Sequence, residues 1–275
     1  MNTNYSLTIN DWLNKSEKIL RDSNISSSRL DCLMLLEFVL QKTRVHILSE
    51  MGYELNQDDL KKLDDFLLLR KDCLPIAYIT GSVNFFRRDF FVNQDVLIPR
   101  PETEEIISQT LKLNLKNISR IADIGCGSGC IGISLALELP DKKVDLYDLD
   151  QKALDVAKIN CSRYNLKLNL IKSNLLAKLE DNYDLIVCNL PYVPIDLNVS
   201  SEVSYEPKTA VFSGKDGMDL YRKFWNQVNE LKSKPVYIIT ESLIFQHELM
   251  ENIAKEYSYN IISKNALVQT FSLMA

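Results

Sequence analysis

No apolar run in this sequence approaches the ~18 residues that a membrane-spanning helix needs, so no membrane segment is expected. Nor is there a block of positive charge. Lys61-Lys62, Arg70-Lys71 and Arg87-Arg88 are isolated doublets, read as solvated faces, in a chain of net charge −5. Proteins that grip a phosphate backbone cluster their lysines and arginines, so direct nucleic-acid binding is not expected. Histidine is scarce: only His46 and His247 occur, neither beside a candidate nucleophile, which disfavours a histidine base. The six cysteines, at 32, 73, 126, 130, 161 and 188, form no CxxC pair and no regular spacing. That usage fits a reduced, cytoplasmic location. Cys126 and Cys130 lie four apart, but without a Cys or His partner nearby they read as small packing residues, and no metal is expected. Met1 to Ile9 lacks a basic start, an apolar stretch and a small-residue cleavage site, so no secretory leader is expected.

What is present is the composition of an ordinary globular protein, 46% hydrophobic and 25% charged over 275 residues, which suits a main domain with a smaller companion. Residues 1–75 read as helices, at about Thr8 to Asp22, about Ser28 to Lys42, and from an Asn56 cap onward. Leu30, Leu33, Met34, Phe38 and Val39 on the second, and Leu60, Leu63, Phe66 and Leu67 on the third, are the expected packing residues. Nothing catalytic is visible there; a docking module, or a plain structural cap, remains. Residues 76–98 change to alternating aromatic and branched residues, which predict a β-hairpin linker turning at Arg87-Arg88-Asp89. Pro99-Arg100-Pro101 forces extended chain and opens the segment 99–275. Within it, strands expected at 120–124, 144–148, 168–172, 184–188 and 236–240 alternate with helices near 128–139, 151–163, 216–231 and 243–256. That alternation predicts an α/β fold with a mostly parallel sheet. Two further strands after residue 259 would add an antiparallel edge.

The first of these strands runs into Asp123-Ile124-Gly125-Cys126-Gly127-Ser128-Gly129. Glycines so placed let the backbone turn tightly and approach a ligand closely. The order is GxGxG; dinucleotide loops place the third glycine one residue later, so a nicotinamide cofactor is disfavoured. A P-loop is excluded, because no Gly-Lys-Ser/Thr follows. Asp148 ends the next strand about 20 residues on, the position from which a carboxylate accepts from both ribose hydroxyls of an adenosine. Asn174 and Leu175, after the third strand, are placed to bond an adenine amino group and to cover a ring face.

The fourth strand ends in Asn189-Leu190-Pro191-Tyr192. This cluster suits a nitrogen nucleophile conjugated to a π-system, a carboxamide or an exocyclic base amine. No ordinary side chain deprotonates such a nitrogen. It needs instead acceptors that grip its N–H groups and localise its lone pair as positive charge develops. The Asn189 side-chain oxygen and the Leu190 carbonyl are the candidate acceptors. Pro191 stiffens the turn, and the Tyr192 ring is free to stack on a planar target.

Together the two motifs resemble the class I amino methyltransferases, which act on glutamine, adenine or guanine nitrogens. The wider pattern is narrower. Leu97-Ile98-Pro99-Arg100-Pro101-Glu102-Thr103-Glu104, Glu206-Pro207, Gly214-Lys215-Asp216-Gly217 with Tyr221-Arg222, and Pro75 to Gly81 are similar to the peptide chain release factor glutamine methyltransferases (PrmC/HemK). The resemblance implies a Rossmann-like, seven-stranded class I fold with a small N-terminal helical domain that docks substrate. It implies S-adenosyl-L-methionine as cofactor and N5-methylation of the glutamine in the Gly-Gly-Gln motif of release factors; a monomer is expected. Gly125, Cys126, Gly127, Ser128, Gly129, Asp148, Asn174, Leu175 and Asn189 would hold the cofactor. Asn189, Leu190, Pro191 and Tyr192 would cradle the glutamine amide, and Pro99 to Glu104 would line the methionine end. The sequence departs from the family in Leu190, where proline is usual, in Asn174, often aspartate, and in Lys215, where a second glycine is common. Tolerance of leucine implies that position 190 acts through its carbonyl rather than its side chain. A nucleic-acid amino methyltransferase would share the tetrapeptide but should carry a basic substrate region. A silent cofactor-binding module would not need both motifs.

Overall fold

The computed structural model describes residues 7–179 and 182–274; most of the start read above as leader-free, Met1 to Ser6, lies outside them. The chain folds as two compact units. One extends to Gly81 and takes in Ser201–Tyr205; the other holds Ser82–Ser200 and the chain from Glu206 onward.

The first unit is helical: α1 (Ile9–Asp22), α2 (Ser28–Leu40), α3 (Arg44–Ser49), α4 (Gln57–Lys71) and α5 (Ile76–Thr80). Thr8 and Asp11 close a capping box on α1, and Asn56 accepts from the Asp59 N–H at 2.8 Å to start α4; both satisfy donors that a helix start leaves unpaired. Trp12, Leu13, Leu20, Leu35, Leu36, Leu63 and Leu67 form the core. Two expectations need correction. Helices α3 and α5, of six and five residues, are too short to show a period. On α2, Leu30 and Phe38 are exposed while Cys32, Leu35 and Leu36 are buried; a helix apolar nearly all round does not disclose which face packs. In the same core, Arg70 is buried with Asp31, donating from Nε to Oδ2 at 2.6 Å, and it also pairs with Glu202.

The second unit begins with a hairpin, β1 (Ser82–Phe85) and β2 (Arg88–Phe91), paired antiparallel. The turn falls at Phe86-Arg87, not at Arg87-Arg88-Asp89. Both residues take positive φ, 47° and 62°, as a two-residue hairpin turn requires. The register is fixed by burial, since Phe85 and Phe90 both enter the main core beside Ile106 and Ile107. The stretch 76–98 is therefore no free linker: its start is helical and its hairpin belongs to the second unit.

The remaining elements are α6 (Glu104–Lys112), β3 (Arg120–Ile124), α7 (Cys130–Glu138), β4 (Lys143–Asp148), α8 (Gln151–Arg163), β5 (Asn169–Lys172), β6 (Leu185–Cys188), α9 (Lys208–Val211), α10 (Asp219–Glu230), β7 (Tyr237–Glu241), α11 (His247–Glu256), β8 (Tyr259–Asn265) and β9 (Val268–Leu273). They build a seven-stranded sheet of order β5-β4-β3-β6-β7-β9-β8. The first five of these strands in spatial order run parallel; β9 pairs antiparallel with β7 and with β8, giving the expected edge. This is the α/β, class I methyltransferase-type architecture. The order reverses at β3, which has β4 on one side and β6 on the other, and open α/β sheets bind ligands outside the carboxyl ends of strands at such a switch point. Because β3, β4, β5, β6 and β7 are parallel, the loops that follow them open on one edge.

Candidate active site

A cavity of about 390 Å³ lies at that edge. Gly125, Cys126, Gly127, Ser128, Asp148, Asn174, Leu175, Asn189, Leu190 and Pro191 all line it, as do Pro99, Arg100 and Thr103. Gly129 and Tyr192 do not line it; they stand behind residues that do.

The glycine loop is built by backbone geometry. Gly125, Gly127 and Gly129 have φ of 73°, 53° and 79°, values that cost an L-residue ~1–2 kcal/mol. The N–H groups of Gly125 and Cys126 both donate to the Tyr147 carbonyl, at 2.8 and 2.9 Å, which folds the loop over the end of β4. Gly129 starts α7 and leaves no room behind it: an added Cβ would lie 3.0 Å from Ile133 and 3.2 Å from Ala157. Three residues into the helix, a Cβ on Gly132 would meet Leu146 at 2.1 Å, so α7 lies close upon β4. The Gly132 N–H donates to buried Asp123 Oδ2 at 2.8 Å. Burial pushes the Asp123 carboxyl up to about 7. Asp148 accepts from the Gly127 N–H on Oδ2 at 2.8 Å and from the Asp150 N–H on Oδ1 at 2.9 Å. Burial raises its carboxyl, and those two donors oppose the shift. Each oxygen keeps a lone pair for a hydroxyl donor.

Leu175 is buried with φ of 55° and forms an apolar wall. Asn174 is exposed, and its side-chain oxygen accepts from Lys223 Nζ at 2.9 Å. An amino group arriving there would share that oxygen with a lysine. Cys126 and Cys130 are buried thiols, and burial pushes Cys130 up to about 12.

The tetrapeptide leaves β6 with its side chains divided between three directions. Asn189 donates from Nδ2 to the Thr103 hydroxyl at 3.0 Å. Leu190 turns inward: its side chain is buried and stands 3.0 Å from where a Cβ on Gly125 would sit, and its N–H donates to the Tyr221 hydroxyl at 3.3 Å. The side chain at 190 is therefore not idle, and its N–H forms a bond that proline has no hydrogen to make. Tyr192 donates from its hydroxyl to Glu241 Oε1 at 2.7 Å, and Tyr221 donates to the Glu241 carbonyl at 2.5 Å. Behind the turn, Gln246 donates from Nε2 to the carbonyls of Tyr192 and Asp216, at 2.8 and 2.7 Å. A Cβ on Gly217, whose φ is 79°, would come within 2.0 Å of the Tyr192 carbonyl oxygen. The Gly214–Gly217 segment thus braces the tetrapeptide from outside. Arg100 donates to both oxygens of buried Glu206, at 2.7 and 2.8 Å, and that pair fixes the cavity wall beside Pro99.

Three residues of the site were not legible in the motifs. Glu241, fully buried at the end of β7, reads in the sequence as the polar end of one more apolar strand. Gln246 ends the 3-10 turn Ile244–Gln246 that leads into α11. Asn160, buried in α8, donates from Nδ2 to the carbonyls of Phe91 and Ser128 at 2.9 Å each and accepts from the Phe91 N–H at 2.7 Å. It ties hairpin and glycine loop together. The one available signal was a polar residue at a helix position expected to be apolar, and it does not say which backbone groups it serves.

Residues 103–203 match the family pattern described as Methyltransferase small domain, and residues 11–81 match PrmC N-terminal domain. The chain is 32% identical to a release factor glutamine methyltransferase of Clostridium acetobutylicum over 95% of this chain and 92% of that one. It is 36% identical to one of Mycoplasma mycoides, over 90% and 89%. Among solved structures, a methyltransferase from Pyrococcus furiosus has the same fold with a TM-score of 0.52 at 17% identity, covering 77% of this chain and 98% of that one. On the strength of the two curated relatives, each above 30% identity across nearly the full length of both chains, this chain belongs to the release factor glutamine methyltransferase family.

Proposed function

We propose that the protein transfers a methyl group from S-adenosyl-L-methionine to the side-chain amide nitrogen of the glutamine in the Gly-Gly-Gln motif of peptide chain release factors. One observation carries the reading: Asn189, Leu190 and Pro191 open on the same cavity as the glycine loop and Asp148. The residues fit the cofactor. Asp148 is aimed at the cavity with acceptor capacity for ribose hydroxyls, Leu175 covers a planar ring, and the loop of three positive-φ glycines lets backbone approach the ligand closely. The sulfonium of that cofactor supplies an electrophilic methyl. All else is done by the chain.

Asn189 presents its side-chain oxygen to one N–H of the glutamine amide, with its nitrogen on the Thr103 hydroxyl. The Leu190 carbonyl is the proposed acceptor for the second N–H. Two acceptors localise the nitrogen lone pair and strengthen as positive charge grows, so they favour the transition state over the ground state. Pro191 and the Gly217 contact hold the turn rigid, which keeps the nucleophile in line with little motion left to restrict. No side chain need take the amide proton before transfer; afterwards it is acidic and passes to water.

The helical unit is proposed as the docking element for the release factor. Its surface carries exposed Leu30, Val45, Leu48, Leu68 and Leu69, apolar side chains that a protein partner would cover. The test is a competition for acceptor. With labelled cofactor, label is expected to enter a release factor and not a parallel sample of ribosomal RNA or duplex DNA. Label in nucleic acid alone would favour a base amine, and label in neither would leave a silent cofactor-binding protein.

A further inference from the structure

A carboxamide looks the same from both sides, and the chemistry proposed for Asn189 needs one orientation only: oxygen toward the cavity, nitrogen away. Thr103 does not by itself enforce this. A hydroxyl both donates and accepts, so it would satisfy a flipped Asn189 equally well, and a flipped amide would set two donors against the N–H groups of the target. The orientation needs a further group, one that fixes which way the Thr103 hydroxyl points and meets the Asn189 nitrogen rather than its oxygen.

Glu241 is the group in position to decide. Its side chain is fully buried. Oε1 accepts from the Tyr192 hydroxyl at 2.7 Å, while Oε2, equally buried, has no aligned hydrogen-bond partner among the described residues. Thr103 and Asn189 both lie close enough to the carboxylate to favour its charged form, against burial, which disfavours it. The Thr103 oxygen accepts from Asn189, so its one proton is unspent beside an acceptor that lacks a donor. An ionised carboxylate is acceptor-only. If the Thr103 proton goes to Oε2, the hydroxyl is fixed as acceptor toward position 189. Asn189 must then face it with nitrogen, and its oxygen is left for the substrate.

We propose that Glu241 and Thr103 are positioning residues that set the amide orientation of Asn189, with Glu241 holding Tyr192 through its other oxygen. One buried carboxylate thereby orders both polar side chains of the tetrapeptide. The proposal rests on the methyl-transfer reading of this site. It adds that β7 and the turn before α6, which lie outside the tetrapeptide, determine whether the acceptor is presented at all.

Three variants test it in the full-length protein: Thr103→Val removes the hydroxyl, Glu241→Gln replaces an acceptor-only group with one that also donates, and Thr103→Ser restores the hydroxyl. Thr103→Val and Glu241→Gln are expected to lower kcat on the order of 10²-fold, the scale of loss from a misplaced reacting group, a far larger effect than any change in cofactor Kd by calorimetry. Thr103→Ser should recover most of the rate. The double variant should be no worse than the poorer single one, because both break the same chain. Wild-type kcat in Thr103→Val or Glu241→Gln, in protein shown to be folded by its unfolding midpoint, overturns the proposal. A second readout does not depend on turnover. The Asn189 side-chain NH₂ should exchange slowly with solvent in the wild type and faster in both variants, and equal exchange in all three overturns it as well. A wild type that fails to methylate glutamine would count against the proposed function, and the exchange measurement would then decide the orientation claim alone.

Discussion

A carboxamide at position 189 must donate and accept at once, and no other side chain of its size does both in fixed geometry. Its nitrogen serves Thr103 at 3.0 Å, and its oxygen is the acceptor proposed for the target. Asn189→Ala is therefore expected to cut kcat on the order of 10²-fold or more while cofactor binding is largely kept. Asp148 should behave in the opposite way. Asp148→Ala removes an acceptor proposed for the ribose and also releases the Gly127 N–H. A hydrogen bond to a charged group is worth ~1.5–3 kcal/mol, so cofactor Kd should rise ~10- to 100-fold by calorimetry. Unchanged affinity would refute the ribose role of Asp148. Both residues were legible in the sequence because each stands at the carboxyl end of a strand, where spacing alone locates it. Glu241 stands at such an end too, but an acid there has an everyday reading as a solvated turn residue. Only burial separates the two, and burial is not written in a strand of five residues.

At the scale of elements, the long helices and the strands of the sheet announce themselves by period, and their ends fall within a few residues of where the pattern stops. What escapes is the pairing between elements. Phe85 and Phe90 announce a hairpin, but which two residues turn it depended on both phenylalanines reaching the core. Asn160 is a sharper case. It satisfies three backbone groups, two from β2 and one from the glycine loop. Each buried group left unpaired costs ~1–3 kcal/mol, so Asn160→Ala should lower unfolding free energy by ~2–5 kcal/mol in urea titration. It should also weaken cofactor binding, because Ser128 belongs to the loop. In the helical unit, Arg70 and Asp31 share a burial of about 2% exposure each. Breaking such a pair from one side strands a charge, at ~3–5 kcal/mol. Arg70→Met should destabilise by that amount in the same titration, and Arg70→Met with Asp31→Leu should recover a large part of it. If the double variant is no better than the single, the cost lies in lost packing around Arg70 and Glu202, not in the stranded charge.

The whole molecule resolves a question that its best motif leaves open. Asn189-Leu190-Pro191-Tyr192 beside a glycine loop says that a planar amine is the target and does not distinguish a base from a glutamine. Net charge of −5 with no basic cluster disfavours a polyanionic partner. The family match and the helical unit that accompanies the sheet domain point to a protein acceptor. The central claim is that the tetrapeptide serves a carboxamide nitrogen, and locating the transferred methyl tests it most directly. After incubation with cofactor, a release factor is digested and the peptide containing Gly-Gly-Gln is fragmented by tandem mass spectrometry. One added methyl on the glutamine, released as methylamine on hydrolysis of the side chain, is the predicted result. A methyl on any other residue, or an unmodified peptide from a reaction in which wild-type protein binds cofactor, would contradict it.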